Sequence, residues 1–219
     1  VDYGYTYKNM HWFGEAAISD TRYKAFVNGL LISTAGNIDM SIFYRNISKG
    51  YQTLYGSAFT ESTLPNNEKG LFVGMSVKPS QAWKIDAYAD VFRFPWLKSR
   101  VDAPSNGSDY FLQVVYRPNK QLDMYARFKR EEKAINFNEE DDMLNPVIPM
   151  PKKSFRYQMA YKVTPEFTFR TRTEMAWYDK KGAAASEGFL LYADFLYKPN
   201  MKPISGNIRL QYFETDDYN

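Results

Sequence analysis

Apolar and polar residues alternate with period two along most of this chain, and this pattern predicts a β-sheet whose two faces differ. In residues 122–129 one face would carry Leu122, Met124, Ala126 and Phe128, and the other Asp123, Tyr125, Arg127 and Lys129. A soluble sandwich covers its apolar face with a second sheet. A transmembrane barrel turns that face to lipid and keeps the charges inside. The choice between these two folds decides which functions are open to the chain.

Composition favours the barrel and excludes several other classes. Aromatic residues make up 17% of the 219 residues, which fits the aromatic girdles of outer-membrane barrels. No run of about 18 apolar residues exists, so the sequence excludes a transmembrane helix. The absence of cysteine excludes disulfides and thiolate metal sites, and the net charge of +3 is too small to indicate a nucleic-acid-binding protein.

The alternating segments predict about eleven strands, most of them long enough to cross a bilayer when tilted. The predicted spans are 9–19, 23–34, 38–48, 71–78, 82–94, 109–117, 121–133, 153–163, 166–178, 188–198 and 206–214. We therefore expect residues 1–219 to belong to a single antiparallel transmembrane β-barrel domain. Barrel strands in bacterial single-chain proteins come in even numbers, so we also expect the chain to be a fragment of a larger barrel.

The connections between the predicted strands alternate in length. Short turns fall near residues 36, 79, 118, 165 and 200, and four of them begin with Lys78-Pro79, Arg117-Pro118, Thr164-Pro165 and Lys198-Pro199. Longer connections fall at 49–70, 95–108 and 134–152. Outer-membrane barrels have tight periplasmic turns and longer external loops. The pattern predicts that the long connections emerge on one side of the membrane and the turns on the other.

Period two also assigns the faces of the later strands. The predicted lipid-facing residues are Phe155, Tyr157, Met159, Phe169, Met175, Leu191, Phe195 and Leu210. The predicted lumen-facing charges are Arg127, Lys129, Arg156, Lys162, Arg170, Arg172, Glu174, Asp194 and Arg209. The basic excess could make the lumen favour anions. We favour instead a network of mutually neutralising charges, in which the arginines pair partly with Glu174 and Asp194.

No residue pattern indicates catalysis or a metal site. His11 is the only histidine, no Gly-x-Ser-x-Gly motif accompanies it, and we interpret it as an interfacial girdle residue. The acidic residues of segment 131–142 could take calcium, but their spacing matches no EF-hand, and we interpret the segment as a charged external loop. An aromatic belt accounts for Trp12, Phe13, Tyr116, Phe94, Trp96, Trp177 and Tyr178, with a carbohydrate platform as the alternative. We expect no catalytic residues, no cofactor and no metal.

Several segments resemble one group of barrel proteins. These segments are Tyr44–Asn46, Tyr51–Glu61, Pro65–Gly70, Phe94–Lys98 and Arg100–Pro104. Together they resemble the C-terminal barrel of large Bacteroidota outer-membrane proteins that carry an N-terminal helix-hairpin-helix domain. Such domains commonly bind DNA backbone, so the resemblance implies DNA handling by analogy only. It implies no catalytic residue.

These observations predict a non-enzymatic barrel in the outer membrane of a Gram-negative bacterium. Its role would be structural or transport-like, as a channel or conduit. One alternative is a scaffold subunit of a larger outer-membrane complex with a blocked lumen, and a further alternative is an outer-membrane hydrolase. Expected partners are outer-membrane lipid and lipopolysaccharide, other outer-membrane proteins, and nucleic acid by family analogy only.

Overall fold

The computed structural model describes residues 1–53, 56–137, 146–179 and 185–216. This part of the chain forms one antiparallel sheet of twelve strands in which every strand lies beside its neighbours in sequence. The strands are β1 (Asp2–Tyr7), β2 (Met10–Ile18), β3 (Lys24–Ala35), β4 (Ile38–Ile47), β5 (Glu68–Ser80), β6 (Trp83–Phe94), β7 (Ser105–Tyr116), β8 (Leu122–Asn136), β9 (Val147–Lys162), β10 (Phe167–Tyr178), β11 (Ser186–Tyr197) and β12 (Gly206–Thr215). Within the described ranges there is no helix with the length and apolar character needed to cross a bilayer.

The predicted count of about eleven strands was one too low. The sequence analysis missed β1, a six-residue strand whose pairing with β2 begins after a tight turn at Lys8, where φ is 52°. Tyr3, Tyr5 and Tyr7 do alternate with Asp2, Gly4 and Thr6, but at six residues the segment is shorter than the strands expected to cross a bilayer.

The strands also extend further into the long connections than the alternation predicts. β5 begins at Glu68 and β9 at Val147, because backbone pairing continues where side chains no longer need to alternate. Glu131 and Glu132 lie in β8, as the predicted span 121–133 has them, and the interpretation of segment 131–142 as a loop was wrong for these two residues. The other acidic residues of that segment, at 139–142, lie outside the described residues.

Contacts divide the chain into two compact units, which we describe separately. Unit 1 comprises 1–76, 88–110 and 131–150, and unit 2 comprises 77–87, 111–130 and 151–219. The buried apolar side chains of unit 1 include Ile47, Phe92 and Phe94, those of unit 2 Val115 and Tyr192.

The register of β9 to β12 separates the two kinds of side chain within unit 2. Arg170 lies opposite Asp194, which lies opposite Arg209, so these three share one face, the charged face. Phe169 lies opposite Phe195 on the other, apolar face. Asp194 is only 2% exposed, whereas Phe195 is 50% exposed. Across β9 to β11 the charged face is thus more covered than the apolar face, which is the reverse of a soluble protein and agrees with a transmembrane barrel.

Candidate functional site

A buried ionic cluster joins three consecutive strands of unit 1. Arg45 of β4 donates from Nε to Glu68 of β5 at 2.5 Å, and from its two terminal nitrogens to Asp90 of β6 at 3.0 Å each. Arg45 and Glu68 are 0% exposed and Asp90 is 2% exposed. A buried charge is tolerated only when it is paired and hydrogen-bonded, and here one guanidinium serves both carboxylates. We call these three residues the anchor cluster and the side of the sheet that carries them the anchor face.

Gly70 makes the reach of Arg45 possible. To contact β6 from β4, the guanidinium must pass over β5, which lies between them. A Cβ atom on Gly70 would lie 2.5 Å from Cζ of Arg45, which no relaxed contact allows. The glycine therefore provides the space in which the guanidinium crosses the strand.

The anchor cluster holds the described part of the connection between β4 and β5, residues 48–53 and 56–67, against the sheet. The carboxylate of Glu68 accepts the backbone N–H of Glu61 at 3.1 Å and that of Ser62 at 3.3 Å. Lys133 of β8 forms an ion pair with Glu61 at 3.1 Å and another with Glu131. Because its backbone N–H groups bind Glu68, a buried side chain of the sheet, this connection folds back onto the anchor face. We call residues 56–64 the anchored loop.

A second set of contacts ties this connection to the next one. The side-chain amide of Asn67 donates to the carbonyls of Trp96 and Leu97, and accepts from the N–H of Trp96 at 2.9 Å. Lys98, in the connection between β6 and β7, lies over the Phe94 ring at 3.6 Å. Burial, together with the nearby charge of Lys133, lowers the pKa of Lys98 below its ordinary value.

Five aromatic rings form a continuous row across the same face. Phe13 and Phe43 both lie opposite Gly29 in register, and their ring centroids are 6.4 Å apart. Phe59 of the anchored loop lies edge-on to Phe43 at 5.4 Å and to Phe72 at 5.2 Å, and Phe72 contacts Tyr88 at 5.4 Å. We call these five residues the aromatic row. The sequence placed Phe13 in a membrane-interface belt with Trp12, and this was wrong because adjacent residues of a strand point to opposite faces.

The predicted pairing of charges is confirmed for two arginines on the charged face of unit 2. Arg156 donates twice to Glu174, at 2.8 Å each, and Arg209 donates twice to Asp194, at 2.6 and 2.9 Å. Both are bidentate, charge-assisted contacts.

Two further arginines of unit 2 are bound by amides rather than acids. Arg172 donates to Gln158 at 3.0 and 2.6 Å, and Arg127 donates to Gln113 at 2.9 and 2.6 Å. These bonds satisfy the guanidinium donors without cancelling the charge. Lys129 and Lys162 lie in β8 and β9, and that all these charges line a lumen stays a prediction.

The register places the predicted lipid-facing residues together on the apolar face of unit 2. Phe155 lies opposite Met175, Tyr157 and Met159 lie opposite Thr173 and Thr171, Phe169 lies opposite Phe195, and Leu191 and Leu210 lie opposite Tyr212 and Ala193. The structure thus groups the residues as the sequence did, and their contact with lipid stays a prediction.

The structure gives His11 only a local partner. Its Nδ1 lies 2.7 Å from Oγ1 of Thr6, and its ring stacks on Phe13 at 5.5 Å. In the described ranges no group of three or more His, Cys, Asp or Glu residues is arranged to hold a metal ion. That the chain has no catalytic residue stays a prediction.

Comparison with known proteins gives a match of fold. The outer-membrane porin OccK5 (OpdH) of Pseudomonas aeruginosa superposes with a TM-score of 0.53 and 14% identity, covering 97% of this chain and 63% of that one. The fold is that of an outer-membrane β-barrel, as the sequence predicted. The chain spans less than two thirds of the length of OccK5. Pseudomonas aeruginosa OpdQ also matches, with a TM-score of 0.44, 12% identity and coverage of 97% and 64%.

The sequence comparisons add nothing to this result. No protein-family model matches the chain, and no curated protein matches its sequence.

Sequence reasoning missed the anchor cluster, although a signal was present. Arg45 stands between Phe43 and Ile47 in its period-two row, and Asp90 stands between Tyr88 and Phe92. A charge with large aromatic or aliphatic residues two positions to either side, repeated on nearby strands, indicates buried partners. No such signal marks Phe59, because its position depends on how the connection folds.

Proposed function

We propose that this chain forms the wall of a non-enzymatic channel in the outer membrane of a Gram-negative bacterium, narrowed by the anchored loop. The single observation that carries this proposal is that Glu68, a buried wall residue, binds the backbone of Glu61 and Ser62. Such contacts hold a connection on the face of the sheet instead of leaving it free in solvent. The porin-like fold and the covered charged face support the same function.

The paired charges define what kind of passage this would be. Ion pairs such as Arg156–Glu174 keep a wall wettable while cancelling most of its field. Arg127 and Arg172 are bound to glutamine side chains and keep their charge. We therefore propose a water-filled path for small polar solutes with a modest preference for anions, set by these two arginines rather than by the whole basic row.

The test is electrical recording of the purified protein in planar lipid bilayers. We expect wild-type protein to conduct, and Glu68→Gln to raise the conductance or its fluctuation because the anchored loop loses one of its two acceptor oxygens. Glu166→Gln is the matched control, since it makes the same chemical change at an exposed ion pair with Lys202, away from the paired charges of the wall. Replacement of both Arg127 and Arg172 by glutamine should shift the reversal potential towards cations.

The alternative is a scaffold subunit whose lumen the anchored loop closes. The burial of the anchor cluster, which holds the loop on the face of the sheet, favours the scaffold over a hydrolase. A wild-type protein that is silent in bilayers, and conducts only after removal of residues 56–64, would contradict the open channel and support the scaffold with a lumen closed by the loop. Lipid and lipopolysaccharide contacts, other outer-membrane partners, and the Bacteroidota helix-hairpin-helix resemblance with its DNA analogy remain proposals that this recording does not address.

A further inference from the structure

We infer that the aromatic row is a binding track for a neutral carbohydrate chain moving along the anchor face. The inference rests on the proposed channel function and names the solute class that this wall would favour. Its five rings are Phe13, Phe43, Phe59, Phe72 and Tyr88, and each contacts the next at 5.2–6.4 Å between centroids.

The rings are placed for contact with a solute rather than for a packed core. Phe59 is 53% exposed, and the other four are only partly covered. The row continues at one end into the exposed ring of His11, which stacks on Phe13. An apolar core would bury these rings, whereas a binding surface leaves one side of each open.

The row is also extended in a direction that a moving solute could follow. It crosses the sheet from β2 to β6, which is four strand spacings of about 4.8 Å, or roughly 19 Å. Strands of transmembrane barrels tilt by about 35–45°, so a line across the strands climbs by the same angle. Over this distance the row would rise by roughly 11–14 Å along the membrane normal, about half of the apolar band.

The chemistry of the neighbouring groups favours a neutral ligand over an ion. Arg45 lies 5.6 Å from the Phe59 ring centroid, but its charge is already shared by two carboxylates. Glu61, next to the row on the anchored loop, is paired with Lys133. The charged groups beside the row are thus each held in an ion pair.

A sugar ring meets these conditions. The faces of aromatic rings are electron-rich and attract the slightly positive C–H patches on a sugar face. The hydroxyl groups at the sugar edge need hydrogen-bond partners, and polar groups border the row. Ser41 stands two residues from Phe43 on the same face of β4. The Tyr88 hydroxyl donates to the carboxylate of Asp109 at 3.2 Å. Repeated stacking without a deep pocket suits a chain of like sugar units rather than a single small molecule.

The experiment uses the purified protein with maltohexaose as the probe. Binding is measured in detergent by saturation-transfer NMR and titration, and blockade of current is measured in planar bilayers. Phe59→Leu and Phe72→Leu keep apolar volume but remove the ring, and each should weaken binding by roughly 2- to 12-fold. Phe59→Tyr keeps the ring and should bind maltohexaose as tightly as the wild type does. Phe167→Leu is the control, because Phe167 stacks on Tyr197 outside the row and should leave binding unchanged.

The two assays separate failure of this inference from failure of the proposed function. Conduction without sugar binding overturns the carbohydrate track and leaves the channel standing. Sugar binding without conduction overturns the channel and leaves the track. Equal loss of binding in the Phe167 control, or tighter binding of tetraethylammonium than of maltohexaose, would also overturn the inference, the latter in favour of a cation site.

Discussion

Replacing Glu68 with glutamine tests the anchor cluster most directly. The change keeps the size of the side chain and one acceptor oxygen, but removes the charge that Arg45 meets at 2.5 Å. It also puts an amide group where the N–H donors of Glu61 and Ser62 need an acceptor. Loss of one partner from a buried ion pair costs about 3–5 kcal/mol when the other charge is left uncompensated. Because Asp90 still holds Arg45 through two bonds, we expect a smaller loss, about 1.5–3 kcal/mol.

The measurement is urea unfolding of the protein in lipid vesicles, followed by tryptophan fluorescence. The control is Glu166→Gln, the same substitution at an ion pair with Lys202 whose side-chain exposures are 39% and 60%, where we expect about 0–1 kcal/mol. A second readout is cleavage of the anchored loop by protease, which should accelerate in the Glu68 variant alone. Equal destabilisation by both variants, or none by Glu68→Gln, would refute the argument that burial gives the anchor cluster its strength.

Four further predictions use single substitutions. Gly70→Ala should destabilise unit 1 by more than 1 kcal/mol and alter the anchored loop, because its Cβ meets the guanidinium at 2.5 Å; unchanged melting would contradict this. Met159→Arg should cost about 2–4 kcal/mol in vesicle unfolding if the apolar face meets lipid. Arg172→Ala removes two charged hydrogen bonds and should cost about 1–2 kcal/mol, with a loss of anion preference in bilayer recordings. His11→Ala should leave conductance intact, and loss of an esterase activity in this folded variant would revive the hydrolase alternative.

The sequence allowed the face assignments of β9 to β12 to be predicted because each depends on local order alone. Side chains two apart share a face, so the grouping of Arg156 with Gln158, or of Phe155 with Tyr157, needs no knowledge of the neighbouring strand. The pairing of Arg156 with Glu174 could be predicted because β9 and β10 are consecutive in sequence and pair with each other.

The anchor cluster could not be predicted in the same way. Its geometry depends on the register of β4 with β5 and of β5 with β6, and register is a property of strand pairs. Gly70 had to be recognised as the gap that Arg45 crosses, which one sequence cannot show. The position of Phe59 depends in addition on the connection between β4 and β5, in which apolar and polar residues do not alternate.

The order of the strands determines which connections of this protein can change in length. Every strand neighbours the next one in sequence, so the connections only close hairpins. Doubling the length of such a flexible connection costs only about 0.6 kcal/mol of closure entropy. Most of these connections can therefore change in length and composition without disturbing the sheet. The segment before Glu68 and the one around Trp96 are exceptions. The backbone of the first must present two N–H groups to one fixed carboxylate, and the second is held by the side-chain amide of Asn67. Insertions in either segment would break these bonds, whereas we expect the other connections to tolerate them.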